Sequence, residues 1–257
     1  MTGFDPKSPS VARVYDYGLG GKDNFAADRE AAARLLALYP SVSKAIAANK
    51  PFVGRAVTWV AGQGVGQFVD LGAGMPLDPA VHETARAVIP DARVAYVDND
   101  PVVNSHLNAR FVTRDSPVRV LNEDICHPAA VLGALAGDID LTRPVCLIMT
   151  MVLHFLDAET ARDVVARFAR ALAPGSYLII SVGWAQGQDG QDFASTYNAQ
   201  DGSRIYAHSR DDIAAMFDGT DLVTPGIVNC ATWRVDPAPA GAAGQTSMIL
   251  GAVTRRP

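Results

Sequence analysis

The chain has 257 residues, 49% of them hydrophobic and 19% charged, a balance ordinary for a single α/β domain that needs neither disulfides nor metals to hold its core. A net charge of −5 argues against any general attraction to nucleic acid or anionic membranes. Three scattered cysteines, Cys126, Cys146 and Cys230, make no C-x-x-C pair, and neither a signal-length apolar core near Met1 nor an 18-residue apolar stretch occurs, so zinc is disfavoured and a cytoplasmic setting expected.

In chain order, residues 28–38 place Ala31, Leu35 and Leu38 on one stripe of a helix. Residues 50–61 form a second helix, with Pro51 near its start and Phe52, Ala56, Val57 and Val60 inward. These belong to an N-terminal extension, 1–65, ahead of a core spanning 66–257. From Gln67 onward strands and helices alternate. Strands are expected at 67–71, 93–98, 118–122, 144–151 and 177–182 as continuous Val/Ile/Leu-rich runs, the signature of a parallel sheet covered on both faces. Helices are expected at 79–88, 101–111 and 158–172, the last stopped by Pro174 and Gly175. Residues 184–207 are polar, aromatic-bearing and aperiodic, and read as a long functional loop whose Phe193, Tyr197 and Tyr206 wall an acceptor pocket. Ser209 then caps a helix over 210–217, and extended runs follow at 221–228 and 247–254, with a Pro/Ala/Gly-rich hairpin loop at 236–244. This order predicts a Rossmann-like, seven-stranded, mostly parallel sheet with a reversed last strand. Ligands of such sheets bind beyond the C-terminal strand ends.

The run QFVDLGAG over 67–74 delivers a strand to a glycine turn, where Gly72 and Gly74 accept positive φ and let the backbone approach a ligand. The second strand ends in Asp98, placed to accept from ribose hydroxyls. A dinucleotide fingerprint would put a third glycine where Leu77 stands, and Pro76 has no N–H to offer a pyrophosphate. The turn therefore suits a nucleoside without phosphates, of which S-adenosyl-L-methionine is the commonest. Asp70 is placed near that ligand or as a cap on its own turn. For Asp98 the alternative is a helix N-cap, a task open to Asp100. Asp124 is open as a cap on a helix beginning at Pro128.

The stretches ARVYDY from Ala12 and GGKDNF from Gly20, VDNDP from Val97, VLHF from Val152 and LAPGSYL from Leu172 resemble the bacterial S-adenosyl methyltransferase family, abundant in actinobacteria and long catalogued as a domain of unknown function. The resemblance implies a class I methyltransferase fold and S-adenosyl-L-methionine as cofactor. Carried over, Asp70, Gly72 and Gly74 form the first motif, whose backbone faces the methionine part and the ribose, and Asp98 takes both ribose hydroxyls. Asn99 bounds the adenine face. Asp124 and Ile125 take the adenine amino group and a ring nitrogen. Thr150 and Met151 floor the sulfonium. Pro76 departs from the family pattern.

In the N-terminal segment, Gly20, Gly21 and Lys22 fail the phosphate-loop pattern, since Asp23 follows the lysine. The segment is either a lid, with Arg13, Lys22 or Asn24 on the cofactor carboxylate and Tyr15 or Tyr17 near its cation, or a structural strap. His154 is the one acid/base candidate, with a pocket wall as its other role. The function expected is methyl transfer to O or N of a small molecule. The alternative is a regulatory protein that binds S-adenosylmethionine or S-adenosylhomocysteine without catalysis, and a nicotinamide oxidoreductase is disfavoured by Pro76 and Leu77. No nucleic-acid partner, membrane or metal is expected.

Overall fold

The central strands are apolar on both sides because helices cover both sides. β1 (Gln67–Leu71), β2 (Arg93–Asp98), β3 (Val118–Asn122), β4 (Cys146–Thr150) and β5 (Tyr177–Gly183) run parallel, and β8 (Ile249–Arg255) closes antiparallel to β5. In this computed structural model, which describes residues 5–113, 118–184, 187–199, 203–235 and 248–257, the sheet order is β3-β2-β1-β4-β5-β8-β6. Alternation splits the core in two. Phe68, Val94, Tyr96, Ile148 and Ile179 face α3 (Pro40–Gly62), α4 (Val81–Arg86) and α5 (Pro101–Phe111). Val69, Val97, Leu147, Met149 and Leu178 face α7 (Ala158–Ala171) and its neighbours α6 (Pro128–Ala134) and α9 (Arg210–Ala215).

Helix starts follow local chemistry. Asp100 caps α5 by accepting from Val102 N–H at 2.8 Å, Asp157 caps α7 through Thr160 N–H at 2.9 Å, and Ser209 caps α9 in a reciprocal box with Asp212. Ahead of the sheet, α1 (Val11–Gly18) and α2 (Ala26–Leu38) stack on α3. Phe52 of α3 is fully buried, worth about 2–3 kcal/mol by area, and meets Trp233 edge-on at 5.6 Å. Gly251 of β8 makes this approach possible, since a Cβ there would stand 2.8 Å from Phe52.

Three expectations need correction. The helix expected to begin near Pro51 runs unbroken from Pro40 to Gly62. Pro51 and Ala47 are both exposed, so the carbonyl left without an N–H partner meets water and the helix continues. The sheet has eight strands because the run at 221–228 is cut into β6 (Asp221–Leu222) and β7 (Val228–Asn229), both paired to β8. The cut is a turn in which Gly226 N–H donates to Val223 C=O at 2.8 Å, next to Pro225, which has no N–H for a ladder. Finally, the segment 184–207 contains α8 (Gly187–Asn198). Gly190, Phe193, Ala194 and Tyr197 stand at helical spacing, a stripe hidden by two small members and held by packing instead of composition. The loop expected at 236–244 lies outside the described residues.

Candidate cofactor cleft and adjoining apolar chamber

Past β1 the chain turns through Gly72 at φ 74° and Gly74 at φ 65°. The two glycines do different work. A Cβ on Gly72 would stand 2.5 Å from Val152 Cγ2, whereas one on Gly74 would meet nothing within 4 Å and would project into open space. Gly72 and Ala73 N–H both donate to Val97 C=O, at 2.8 and 3.1 Å, which pins the turn to the end of β2. There Asp98 accepts from Gly74 N–H through Oδ2 and from Asp100 N–H through Oδ1, each at 2.9 Å. A carboxylate has about four acceptor positions, and Asn99 N–H also donates to this one, so part of its capacity remains for a ligand. Burial raises the Asp98 pKa, and the donated N–H bonds pull against that rise.

The cleft beside this turn has a volume of about 560 Å³. Gly72, Gly74, Asp98, Asn99, Asp124, Ile125, Thr150 and Met151 all line it, so eight expected residues from four strand ends come together. Asp124 Oδ1 accepts from Cys126 N–H at 2.8 Å, and His127, not Asp124, is the N-cap of α6. Met151 adopts φ 56°, uncommon for a side-chain-bearing residue, with its N–H fixed on Ser181 C=O at 2.9 Å.

Asp70 is the exception. It lines a different cavity of about 200 Å³ between α3 and the 75–84 segment, not the cleft. The pleat explains this. Asp70 pairs with Tyr96 within the sheet and points to the α3 side, two residues before the backbone rises over the strand end. Buried there, first by desolvation and then by the nearby Asp98 charge, its pKa climbs to about 8.

Beyond the cleft lies a second space of about 130 Å³. Val11, Tyr15, Met151, His154 and Phe155 border both, so these residues form the partition. Among the described residues, no Asp, Glu, Lys or Arg lines this chamber. Its outer walls come from α2, α3 and α8, and Tyr39 clasps α8 by a 2.9 Å hydroxyl contact with Thr196 and an edge-on contact with Phe193 at 5.2 Å. His154 is buried with Nδ1 lacking any hydrogen-bond partner. Burial, and then the neighbouring His208, depress its pKa to about 3, so the ring is neutral at pH 7. Tyr15 accepts from Asn49 Nδ2 at 3.0 Å, and Asn49 Oδ1 in turn accepts from Ser181 Oγ at 2.7 Å. Among the described residues no cluster of His, Cys, Asp or Glu is arranged to hold a metal ion, and no helix is long and apolar enough to cross a membrane.

Residues 2–257 match the family described as S-adenosyl methyltransferase. The chain belongs to that family. It is an S-adenosylmethionine-dependent methyltransferase, and S-adenosyl-L-methionine is its cofactor. Among solved structures it is similar to a DUF574 family protein from Streptomyces avermitilis, at 35% identity over 98% of this chain and 99% of that one, with a TM-score of 0.88. A candidate methyltransferase from Thermobifida fusca is 34% identical over 97% of this chain and 96% of its own, with a TM-score of 0.91. At fold level the likeness extends to magnesium protoporphyrin IX methyltransferase from Synechocystis, 14% identical over 100% of both chains, with a TM-score of 0.53. No protein of curated function matches the sequence.

In this methyltransferase the N-terminal segment departs from the lid expectation. Arg13 is buried against Asp28 at 2.8 Å and donates to Ser8 C=O at 2.8 Å, so it is turned into the fold. Asn24 donates to Asp16 Oδ2 and to Gly21 C=O, and neither Lys22 nor Tyr17 lines the cleft. Gly21 lies against the Asp16 carboxylate, where a Cβ would overlap it. The GGKDN stretch is thus a strap wound on Asp16, with Ser10 tied to Asp100 at 3.0 Å. Of the expected contacts only Tyr15 reaches the cleft wall. Ser10, Asp16, Asn49 and Phe155 also line it and were missed. Asn49 lies in a helix whose pattern is apolar, and nothing in its neighbourhood along the chain marks it as a site residue.

Proposed function

We propose that this methyltransferase carries a methyl group to an oxygen or nitrogen of a small molecule seated in the apolar chamber. One observation carries the reading: Asp98 and Asp124 converge on a single cleft whose far wall, Tyr15, Met151 and His154, is also the wall of that chamber. The residues fit the cofactor, since open space at Gly74 admits a ligand against the backbone and Asp98 keeps acceptor capacity for the ribose. In this reading Asn99 lies along the adenine, Asp124 accepts from its amino group, Ile125 N–H meets a ring nitrogen, and Gly72 and Gly74 face the methionine part. Thr150 and Met151 lie under the sulfonium, with the Tyr15 ring as a partner for its charge. When bound, S-adenosylmethionine supplies an electrophilic methyl whose C–S bonding pair stays on sulfur as the thioether departs. Asp70 supports the turn from behind.

Residues 1–65 act as one body with the 66–257 core, because Phe52, Ala56, Val57 and Val60 belong to the same cluster as the sheet. A cytoplasmic setting and a small-molecule partner, not nucleic acid, accord with the net charge of −5. Calorimetric titration with S-adenosylmethionine tests the site. Asp98→Ala should weaken binding by about 10- to 150-fold, the loss of roughly 1.5–3 kcal/mol of charge-assisted hydrogen bonding. Affinity equal to that of the unaltered chain would remove Asp98 from the site.

A further inference from the structure

The chamber's chemistry selects the acceptor. It lies behind the partition, and its described walls carry no charged side chain. An ionised carboxylate or ammonium entering it would lose its water with no opposite charge to meet, a cost of several kcal/mol. Its walls are aliphatic and aromatic: Leu35 and Ile46 from the N-terminal helices, Phe193 and Tyr197 from α8, Trp184 from beyond β5. Its volume, about 130 Å³, is close to that of apolar protein cavities of roughly 150 Å³ that take up benzene. Into this setting His154 brings a neutral ring, 9% exposed, with Nδ1 unpartnered among the described residues. An unpartnered buried polar atom is costly until something pairs with it.

Resting on the reading of the chamber as the acceptor site, we propose that the methyl acceptor is a neutral, single-ring phenol whose ring fills the chamber and whose hydroxyl donates to His154. The ring oxygen then keeps a lone pair directed at the partition, so the same hydrogen bond that satisfies His154 orients the nucleophile. As the new O–CH₃ bond forms from that lone pair, the oxygen's acidity rises and its proton passes to His154. The histidine borders the cleft as well as the chamber, and releases the proton to water there. His154 is weakly basic in this site, so it takes the proton late, from an oxygen already bonded to carbon, and returns it readily. It positions the substrate and carries its proton, and it does not generate a free phenolate.

The test uses the cofactor-free full chain and ¹⁹F NMR with three probes at pH 7: 4-fluorophenol, fluorobenzene and 4-fluorobenzoate. The phenol should bind about tenfold more tightly than fluorobenzene, the worth of one hydrogen bond, and the benzoate should show no saturable binding. His154→Leu should bring the phenol-to-fluorobenzene ratio close to one, and His154→Gln should restore it. Benzoate binding as tight as that of the phenol would overturn the proposal, as would a ratio that survives His154→Leu. If that variant fails to fold, the three-probe comparison on the unaltered chain decides the matter alone. Titrating S-adenosylhomocysteine into the same sample separates the two sites: phenol bound and S-adenosylhomocysteine not bound would remove the cofactor reading and leave the chamber.

Discussion

The two spaces on either side of the Met151–His154 partition are built by opposite means. The cleft is polar and assembled from strand ends, where Asp98, Asp124 and the glycine turn hold backbone N–H groups and keep acceptor positions to spare. The chamber is apolar and walled largely by helices, α2, α8 and the first half of α3, with Tyr39 of the α2–α3 elbow fastened to α8. Parallel-sheet geometry forces side chains at neighbouring strand ends to converge, so a cleft of this kind is inherited with the fold. A chamber walled by N-terminal helices and α8 can vary with less disturbance of the sheet. Binding of the cofactor and choice of acceptor are therefore separable.

The hardest blow to the fold side of this contrast is Gly72→Ala. Positive φ and overlap with Val152 together should cost about 2–4 kcal/mol of stability, read as a lowered midpoint of denaturant unfolding. Gly74→Ala, with nothing within 4 Å, should cost about 1–2 kcal/mol from its φ alone and act mainly by filling the cleft. If the two variants lose stability equally, the assignment of separate roles is wrong. Next in size, Asp98→Ala should lower S-adenosylmethionine affinity as stated while leaving 4-fluorophenol binding within about twofold, since Asp98 lines the cleft and not the chamber. Equal losses at both sites would break the separation.

Protonation sharpens the same comparison. Asp70 has a folded pKa of about 8 against an ordinary carboxyl value of 3.8, so the folded state holds a proton that the unfolded state has released. Stability tied to this group is present at low pH and is lost as pH climbs through the window from 3.8 to about 8. His154 runs the other way. Its folded pKa of about 3, against 6.5, makes its contribution complete above pH 6.5 and progressively lost as pH falls toward 3. Asp70→Asn should flatten the decline on the alkaline side, and His154→Leu the decline on the acid side, in chemical unfolding measured from pH 4 to 8. An unchanged profile in Asp70→Asn would mean that Asp70 is ionised and solvated in the folded protein. The smallest expected effect is Tyr39→Phe, which removes the hydroxyl contact to Thr196 and should cost about 0.5–1 kcal/mol. If it instead halts folding, the elbow belongs to the core and not to a separable chamber.

Legibility in the sequence divides along the same line. Strand ends are short-range objects, so Gly72 and Asp98 could be placed from apolar runs ending in acids and glycines, Asp124 came from the family resemblance, and β1, β2, β3 and α5 have the expected bounds. Asp70 misled because a strand acid beside a glycine turn looks the same whichever way the pleat points it. The chamber was legible in part, since Phe193, Tyr197 and Tyr206, expected to wall an acceptor pocket, do line it, while its helix and its N-terminal walls were not. Its α8 stripe includes Gly190 and Ala194, which carry little hydrophobic signal, and Asn49 meets Tyr15 and Ser181 only after three elements pack together. The GGKDN stretch left lid and strap both open, because glycine and lysine clustered without a pattern to assign them. What it serves is an internal carboxylate, Asp16.

A crystal structure of the full chain with S-adenosylhomocysteine and 4-fluorophenol tests the whole account most directly. The expected density shows ribose hydroxyls on Asp98, the adenine amino group on Asp124, sulfur against the Tyr15–Met151 partition, and the phenol beyond it with its oxygen on His154. A nucleoside lying in the apolar chamber, or held away from both Asp98 and Asp124, would contradict it.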